Sequence, residues 1–291
     1  MIPGIVAGGK SAPPPNAGLF DGVANVRSCY GLTRMLSSYS GPAIKIGRSS
    51  DSLLKDINYS GDSIDWAAFA RFVGANTPYV HTLYDNSAPA DHFVQATSTK
   101  MPGLNSPGSV AAELLFDGSN DVMSSTVNSA GGNASMSVVL RLRVPSITLT
   151  VDAVYDFADV FNHRGAQFWL YGPTLRWNLS TTGSGGFSGT DYEISEYAGA
   201  LATGAVVAGG VFTPGAASGS RNQFYKDGSL VTRTSTSTSG PVGGNFPSAT
   251  QSIGAQNSSS ASPSIIAISR IVVFETDETA NMAAHYASIN A

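Results

Sequence analysis

The chain has 291 residues, of which 12% are charged, a net charge of −4 and one cysteine, Cys29. Its sixteen Lys and Arg residues are scattered, which excludes a phosphate-neutralising surface and nucleic acid as a partner. A lone thiol gives no intrachain disulfide framework, and no apolar run reaches the roughly 18 residues of a membrane span.

In chain order, Met1–Lys10 has neither a basic segment nor an apolar one of secretory length, so export by a signal peptide of its own is not expected. Ser11–Gly18 contains three consecutive prolines and reads as the end of an extended arm over residues 1–18. Ile2, Pro3, Ile5 and Val6 are its anchoring residues, apolar groups suited to docking on another subunit. Val26, Tyr30, Leu32, Met35 and Leu36 recur at helical spacing and predict a helix over Val23–Ser38, stopped by Gly41-Pro42. Ala43–Arg48 alternates like a strand. A second helix is expected from Ser63, as N-cap, to Val73, with Gly74 ending it. Tyr79–Tyr84 is another strand.

From Ser109 the pattern becomes almost entirely β. Strands are expected over 112–116, 136–144, 148–157, 167–171, 174–179, 192–197, 205–212, 222–226, 229–234, 251–255 and 264–274, separated by Gly, Asn and Pro turns. Asp227-Gly228 supplies the positive φ angles of a type I′ hairpin turn. A last helix is expected over Asp277–Ile289, with Met282, Ala283 and Tyr286 on one side. The whole reads as mainly β: an antiparallel jelly-roll sandwich over 19–291 with a few short helices, its helix-containing part 19–104 and its main sandwich 105–291.

Tyr30–Ala43, Arg48-Ser49-Ser50-Asp51, the Trp66–Phe72 helix and Leu83-Tyr84-Asp85-Asn86-Ser87, followed by His92-Phe93-Val94-Gln95, resemble the catalytic-domain family of fungal α-L-arabinofuranosidase B. The resemblance covers residues 25–100 well and the rest loosely. It implies a concanavalin-A-like jelly roll and a retaining pair of carboxylates, which act about 5–5.5 Å apart. In the family the nucleophile is a Glu shortly before a Phe-Ser-Gly turn and the acid an Asp in a Gly-Gly-Asp-Asn segment. Here Thr181–Gly189 carries no carboxylate before its Phe-Ser-Gly, and Ile253-Gly254-Ala255-Gln256-Asn257 has Gln256 in place of the acid. The loops therefore imply a chain that is not an enzyme, since Gln is no acid near neutral pH. The runner-up is a glycoside hydrolase of arabinofuranosidase type in which Asp191, Glu193 or Glu196 substitutes.

Such modules also look like those of tailed-bacteriophage structural proteins, and the Met-Ile-Pro-Gly-Ile-Val-Ala opening is similar to theirs. The resemblance implies a virion protein on the particle surface, in the head decoration, a fibre or the tail. Its expected partners are other virion proteins through the arm, further copies of itself and host-surface polysaccharide. The expected glycan-binding residues are Trp177, Asn178, Asp191, Tyr192, Gln256 and Asn257, among central-strand aromatics that include Trp169, Tyr171 and Tyr197. His81, His92, His163 and His285 are too dispersed for a zinc site, and the oxygen-rich Asp117–Asp121 reads as a turn before a Ca²⁺ site, so no cofactor is expected.

Overall fold

The computed structural model describes residues 18–87, 90–105, 112–125, 134–146, 151–158, 165–172, 174–180, 192–239, 246, 249–256 and 263–291. Ile2, Pro3, Ile5 and Val6 lie outside them.

The first strand, β1 (Val26–Gly31), occupies the segment expected as a helix over Val23–Ser38. Its partner is distant in sequence, the end of the chain's last strand, with Cys29 opposite Val272 and Tyr30 opposite Ile271. Long-range pairing thus overrides a local spacing. Cys29 and Tyr30 from the strand, and Leu32 and Met35 from the loop after it, are all buried, which mimics a helical stripe. β2 (Pro42–Arg48) pairs with β3 (Leu54–Ser60), which turns into β4 (Ser63–Ile64). Helix α1 (Trp66–Val73) is capped by Asp65, whose carboxylate accepts from Ala68 N at 2.8 Å. The expected cap, Ser63, instead accepts from the Trp66 indole. Phe69 and Val73 form the buried face, and Gly74, at φ 58°, ends the helix.

β5 (Pro78–Leu83) leads to the Tyr-Asp-Asn-Ser turn, a buried polar knot. Asp85 accepts from Cys29 N, Ser87 N, Ser87 Oγ and Asp91 N, while Asn86 Oδ1 accepts from Met35 N and the Tyr59 hydroxyl. The turn fastens β1 and the following loop to β5. β6 (Phe93–Val94) and β7 (Gly103–Asn105) follow.

The remaining strands are β8 (Glu113–Asp117), β9 (Met123–Ser125), β10 (Met136–Val144), β11 (Val151–Ala158), β12 (Gly165–Tyr171), β13 (Thr174–Ser180) and β14 (Tyr192–Tyr197). They are completed by β15 (Gly204–Phe212), β16 (Asn222–Lys226), β17 (Ser229–Leu230), β18 (Ser235–Ser239), β19 (Gln251–Ile253) and β20 (Ile265–Phe274). All pairings are antiparallel. One layer runs β3-β2-β5-β7-β8-β20-β10-β15-β16-β17, with β1 also on β20; the other runs β6-β9-β19-β11-β12-β13-β14-β18. β5 touches both, pairing β7 through Tyr79 and β6 through Thr82 and Leu83.

Between the layers lies one core. Val138, Leu140, Ile268 and Ile271 come from the first layer, and Tyr155, Phe157, Phe168 and Trp177 from the second. The fold is a jelly-roll-type antiparallel sandwich. The β16–β17 hairpin has the expected turn, Asp227 at φ 50° and Gly228 at φ 79°, but its second strand stops at Leu230 instead of reaching Thr234. Helix α2 (Met282–Asn290) starts later than expected and buries Met282, His285 and Ile289 against the outer face of β10 and β15.

Candidate functional site

Residues on a strand point alternately to the two faces of a sheet. On β11, Tyr155 and Phe157 face the core, so Asp156 faces outward. On β12, Phe168 faces inward and Gln167, Trp169 and Tyr171 outward. On β13, Trp177 is inward and Arg176 and Asn178 outward. Register then joins the outward residues across seven strands: Ser124 beside Ser252, Ser252 beside Asp156, Asp156 beside Gln167, Gln167 beside Asn178, Asn178 beside Ile194, and Ile194 beside Ser237. A neighbouring row holds Trp169, Arg176, Glu196 and Ser235.

Asp156, 1% exposed, is the carboxylate at the centre of the first row. Its orientation is set by a relay. The Trp169 indole can only donate and does so to Gln167 Oε1 at 2.9 Å; that fixes the amide, whose Nε2 donates to Asp156 Oδ1 at 2.9 Å. Asp156 Oδ1 is therefore an acceptor. Asn178, 7% exposed, presents an Oδ1 with no hydrogen-bond partner among the described residues. A buried unpaired carbonyl is costly, and a ligand hydroxyl would satisfy it.

The second row supplies aromatic and charged surface. The Arg176 guanidinium lies 4.2 Å from the Tyr171 ring centroid, and Tyr171 is 43% exposed. Arg176 Nε meets Glu196 Oε1 at 2.6 Å, and Ser235 Oγ donates to Glu196 Oε2 at 2.7 Å. The Ser235 bond, with Arg176 beside it, holds the Glu196 carboxyl below its ordinary range. A cavity of about 440 Å³ opens here, lined by Arg176, Ile194, Glu196 and Ser235–Ser237.

The sequence-expected residues divide accordingly. Asn178 and Tyr192 face outward, and Tyr192 is half-buried. Trp177 is not a sugar platform: it is 0% exposed, stacked on Phe168 at 4.6 Å and edge-on to Phe212. Neighbours on one strand cannot both face a ligand, so the Trp177–Asn178 pair splits between core and face. Glu193 is no substitute carboxylate either, because it points inward, where Gly219 N and Arg221 donate to it. Glu196 sits three strands from Asp156, about 14 Å at the usual inter-strand spacing, too far for a retaining pair. Gln256 is half-buried beyond the positive-φ Gly254, while Asp191, Asn257, His163 and the loop 181–189 lie outside the described residues. Asp156, Gln167 and Arg176 were not expected; the available signal was an acid and an amide inside apolar strands, Val154-Tyr155-Asp156-Phe157 and Ala166-Gln167-Phe168.

Elsewhere, Asp117 Oδ1 accepts from Ser119 N and Asn120 N, an Asx-type turn. Among the described residues there is no group of three or more His, Cys, Asp or Glu arranged for a metal ion. His285 pairs with Glu278 at 2.9 Å beneath α2, and His92 accepts from Asp85 N.

No protein-family model and no curated protein matches the chain. Solved structures do. An arabinofuranosidase complexed with arabinofuranosyl-α-1,2-xylobiose superposes with a TM-score of 0.61 at 16% identity, over 90% of this chain and 62% of that one. A GH54 α-L-arabinofuranosidase soaked with a cyclic sulfate inhibitor gives 0.62 at 14% identity, over the same shares, 90% and 62%. The botulinum neurotoxin serotype G binding domain gives 0.52 at 11% identity, over 72% of this chain and 49% of that one. The chain thus spans about three-fifths of the arabinofuranosidase chains, 62%, and at these identities shares their fold. The expectation of a chain that is not an enzyme needs correction: the solved structures the chain superposes on include glycosidases, and the two loops that expectation rested on leave out the buried Asp156.

Proposed function

We propose that the outer face of the β19-β11-β12-β13-β14-β18 layer binds a polysaccharide and that the chain is a glycoside hydrolase of arabinofuranosidase type. The observation that carries this reading is Asp156, a buried carboxylate oriented through Gln167 by Trp169 at the centre of an otherwise uncharged, mostly polar row. Sugars need hydroxyl-directed hydrogen bonds beside an aromatic surface. Asn178 Oδ1, Ser237 and Tyr192 offer the first, and Trp169 and Tyr171 the second.

In this reading Asp156 stands at the reacting centre. With Oδ1 held as an acceptor, it supports the developing positive charge of an oxocarbenium-like transition state or attacks the anomeric carbon. The arabinofuranosyl ligand of the similar solved enzyme names the sugar to try first. Asp191 is the remaining acid named from the sequence and is tested alongside.

The test is release of arabinose from arabinoxylan and arabinan by wild type, Asp156→Asn and Asp191→Asn. Asn can still accept from Gln167, and Asp156→Asn should stay folded by circular dichroism yet lose at least about a hundredfold in rate. No release from any arabinofuranosyl polysaccharide, or an Asp156→Asn rate equal to wild type, overturns the reading.

A further inference from the structure

On the other layer, Arg141 and Arg270 stand directly opposite each other on β10 and β20. The register slips at this point, because Leu142 pairs with Ile268 and leaves Ser269 as the extra residue of a bulge. A bulge re-aims side chains. Here Ser269 and Arg270 both line one cavity of about 210 Å³ with Arg141, Thr33, Ser63 and Trp66.

The charges at this cavity are one-sided. Arg270 is 8% exposed; it donates to the Ile289 carbonyl and to Thr33 Oγ1 at 3.1 Å. Arg141 donates to Asn290 Oδ1 at 3.3 Å and Ser269 Oγ at 3.2 Å. All four acceptors are neutral. Among the described residues neither guanidinium has a carboxylate partner: the nearby Glu113 is taken by Arg143 at 2.6 Å, and Asp65 caps α1. Burial, then repulsion from Arg141, push the Arg270 guanidinium down to about 10. A buried guanidinium facing a second, half-buried one is expensive unless an anion sits between them.

We propose that this cavity is an oxyanion site for a phosphate or sulfate group, either the free ion or its ester on a small sugar. Each guanidinium has five donors and spends only two in the bonds above, so their forks remain for tetrahedral oxygens. The hydroxyls of Thr33, Ser63 and Ser269 ring the same space, and Trp66 supplies an apolar wall on which an ester's sugar would rest. The site lies on the opposite layer from Asp156 and does not depend on the hydrolase reading.

The test is isothermal titration of the full chain with inorganic phosphate, inorganic sulfate and glucose 6-phosphate, with chloride at matched ionic strength as control. Saturable binding of phosphate or sulfate is expected, with none for chloride. Arg141→Gln, the less buried of the pair, should stay folded by circular dichroism and bind at least about tenfold more weakly. Tighter binding of the sugar ester than of inorganic phosphate assigns the ester as ligand, and equal binding assigns the free ion. No saturable heat with any of the three, or unchanged binding by Arg141→Gln, overturns the proposal. Thr33→Val, which removes one hydroxyl without touching a charge, serves if Arg141→Gln unfolds and should also weaken binding.

Discussion

Gly210 lies against the Trp177 indole across the sandwich: a Cβ at that position would come within 2.4 Å of the ring. The β15 backbone is thus the wall on which the buried Trp packs, and there is no flexible tip to move aside. Gly210→Ala should lower stability by about 1–3 kcal/mol through overpacking. Urea unfolding followed by Trp fluorescence measures it, and an unchanged midpoint would show that the wall yields.

Asn178 makes the opposite prediction. Its Oδ1 has no partner among the described residues, so Asn178→Ala should leave the melting temperature nearly unchanged. A ligand hydroxyl lost from that oxygen is worth about 1 kcal/mol, and affinity for arabinoxylan should fall several-fold. Calorimetric titration with the polysaccharide separates the two effects. Loss of stability without loss of affinity would make Asn178 a framework residue.

Burial, with Asp117 as a nearby like charge, raises the Asp121 carboxyl to about 6. Its folded value lies above its unfolded one, so the native state holds the proton more tightly, and this group's contribution falls as pH rises from about 4 to about 6. Asp121→Asn can still accept from Asp117 N and carries no charge. The variant should gain over wild type through that window and hold a constant advantage, about 1 kcal/mol, above it. Melting temperatures of both proteins from pH 4 to 8 test this; a difference that does not change with pH would refute it.

Asp85→Ala should be the most damaging of these substitutions. It strips the acceptor from three backbone amides, Cys29 N, Ser87 N and Asp91 N, in a region closed to water. Each orphaned donor costs about 1–3 kcal/mol, enough together to consume most of a domain's stability. The expected readout is insoluble or non-cooperatively melting protein. A soluble Asp85→Ala with a near-native melt would mean that the knot is dispensable.

Much of the architecture was legible because it is written in local signals. The 222–230 hairpin, α1 and the strands Tyr192–Tyr197 and Asn222–Lys226 follow alternation and turn chemistry. β1 was not legible, because its partners lie more than two hundred residues away and its apolar spacing fits two conformations. β18 was missed for another reason: Ser235–Ser239 is an all-hydroxyl strand on the edge of a polar face and offers no hydrophobic pattern. The candidate site was half legible. Asn178 and Tyr192 could be named from an aromatic cluster, but which side of the sheet each residue takes needs the register, and that is what moved Trp177 into the core and brought out Asp156.

β20 is flanked on both sides, by β10 along one edge and by β8 and β1 along the other. During synthesis this strand emerges from the ribosome after the strands it joins. Until residue 274 is out, β1, β8 and β10 present unpaired backbone toward a gap that only the last strand fills. A nascent chain stalled before Ile265 should therefore be sensitive to protease and bound by chaperones, and one released beyond Phe274 should close in a single late step.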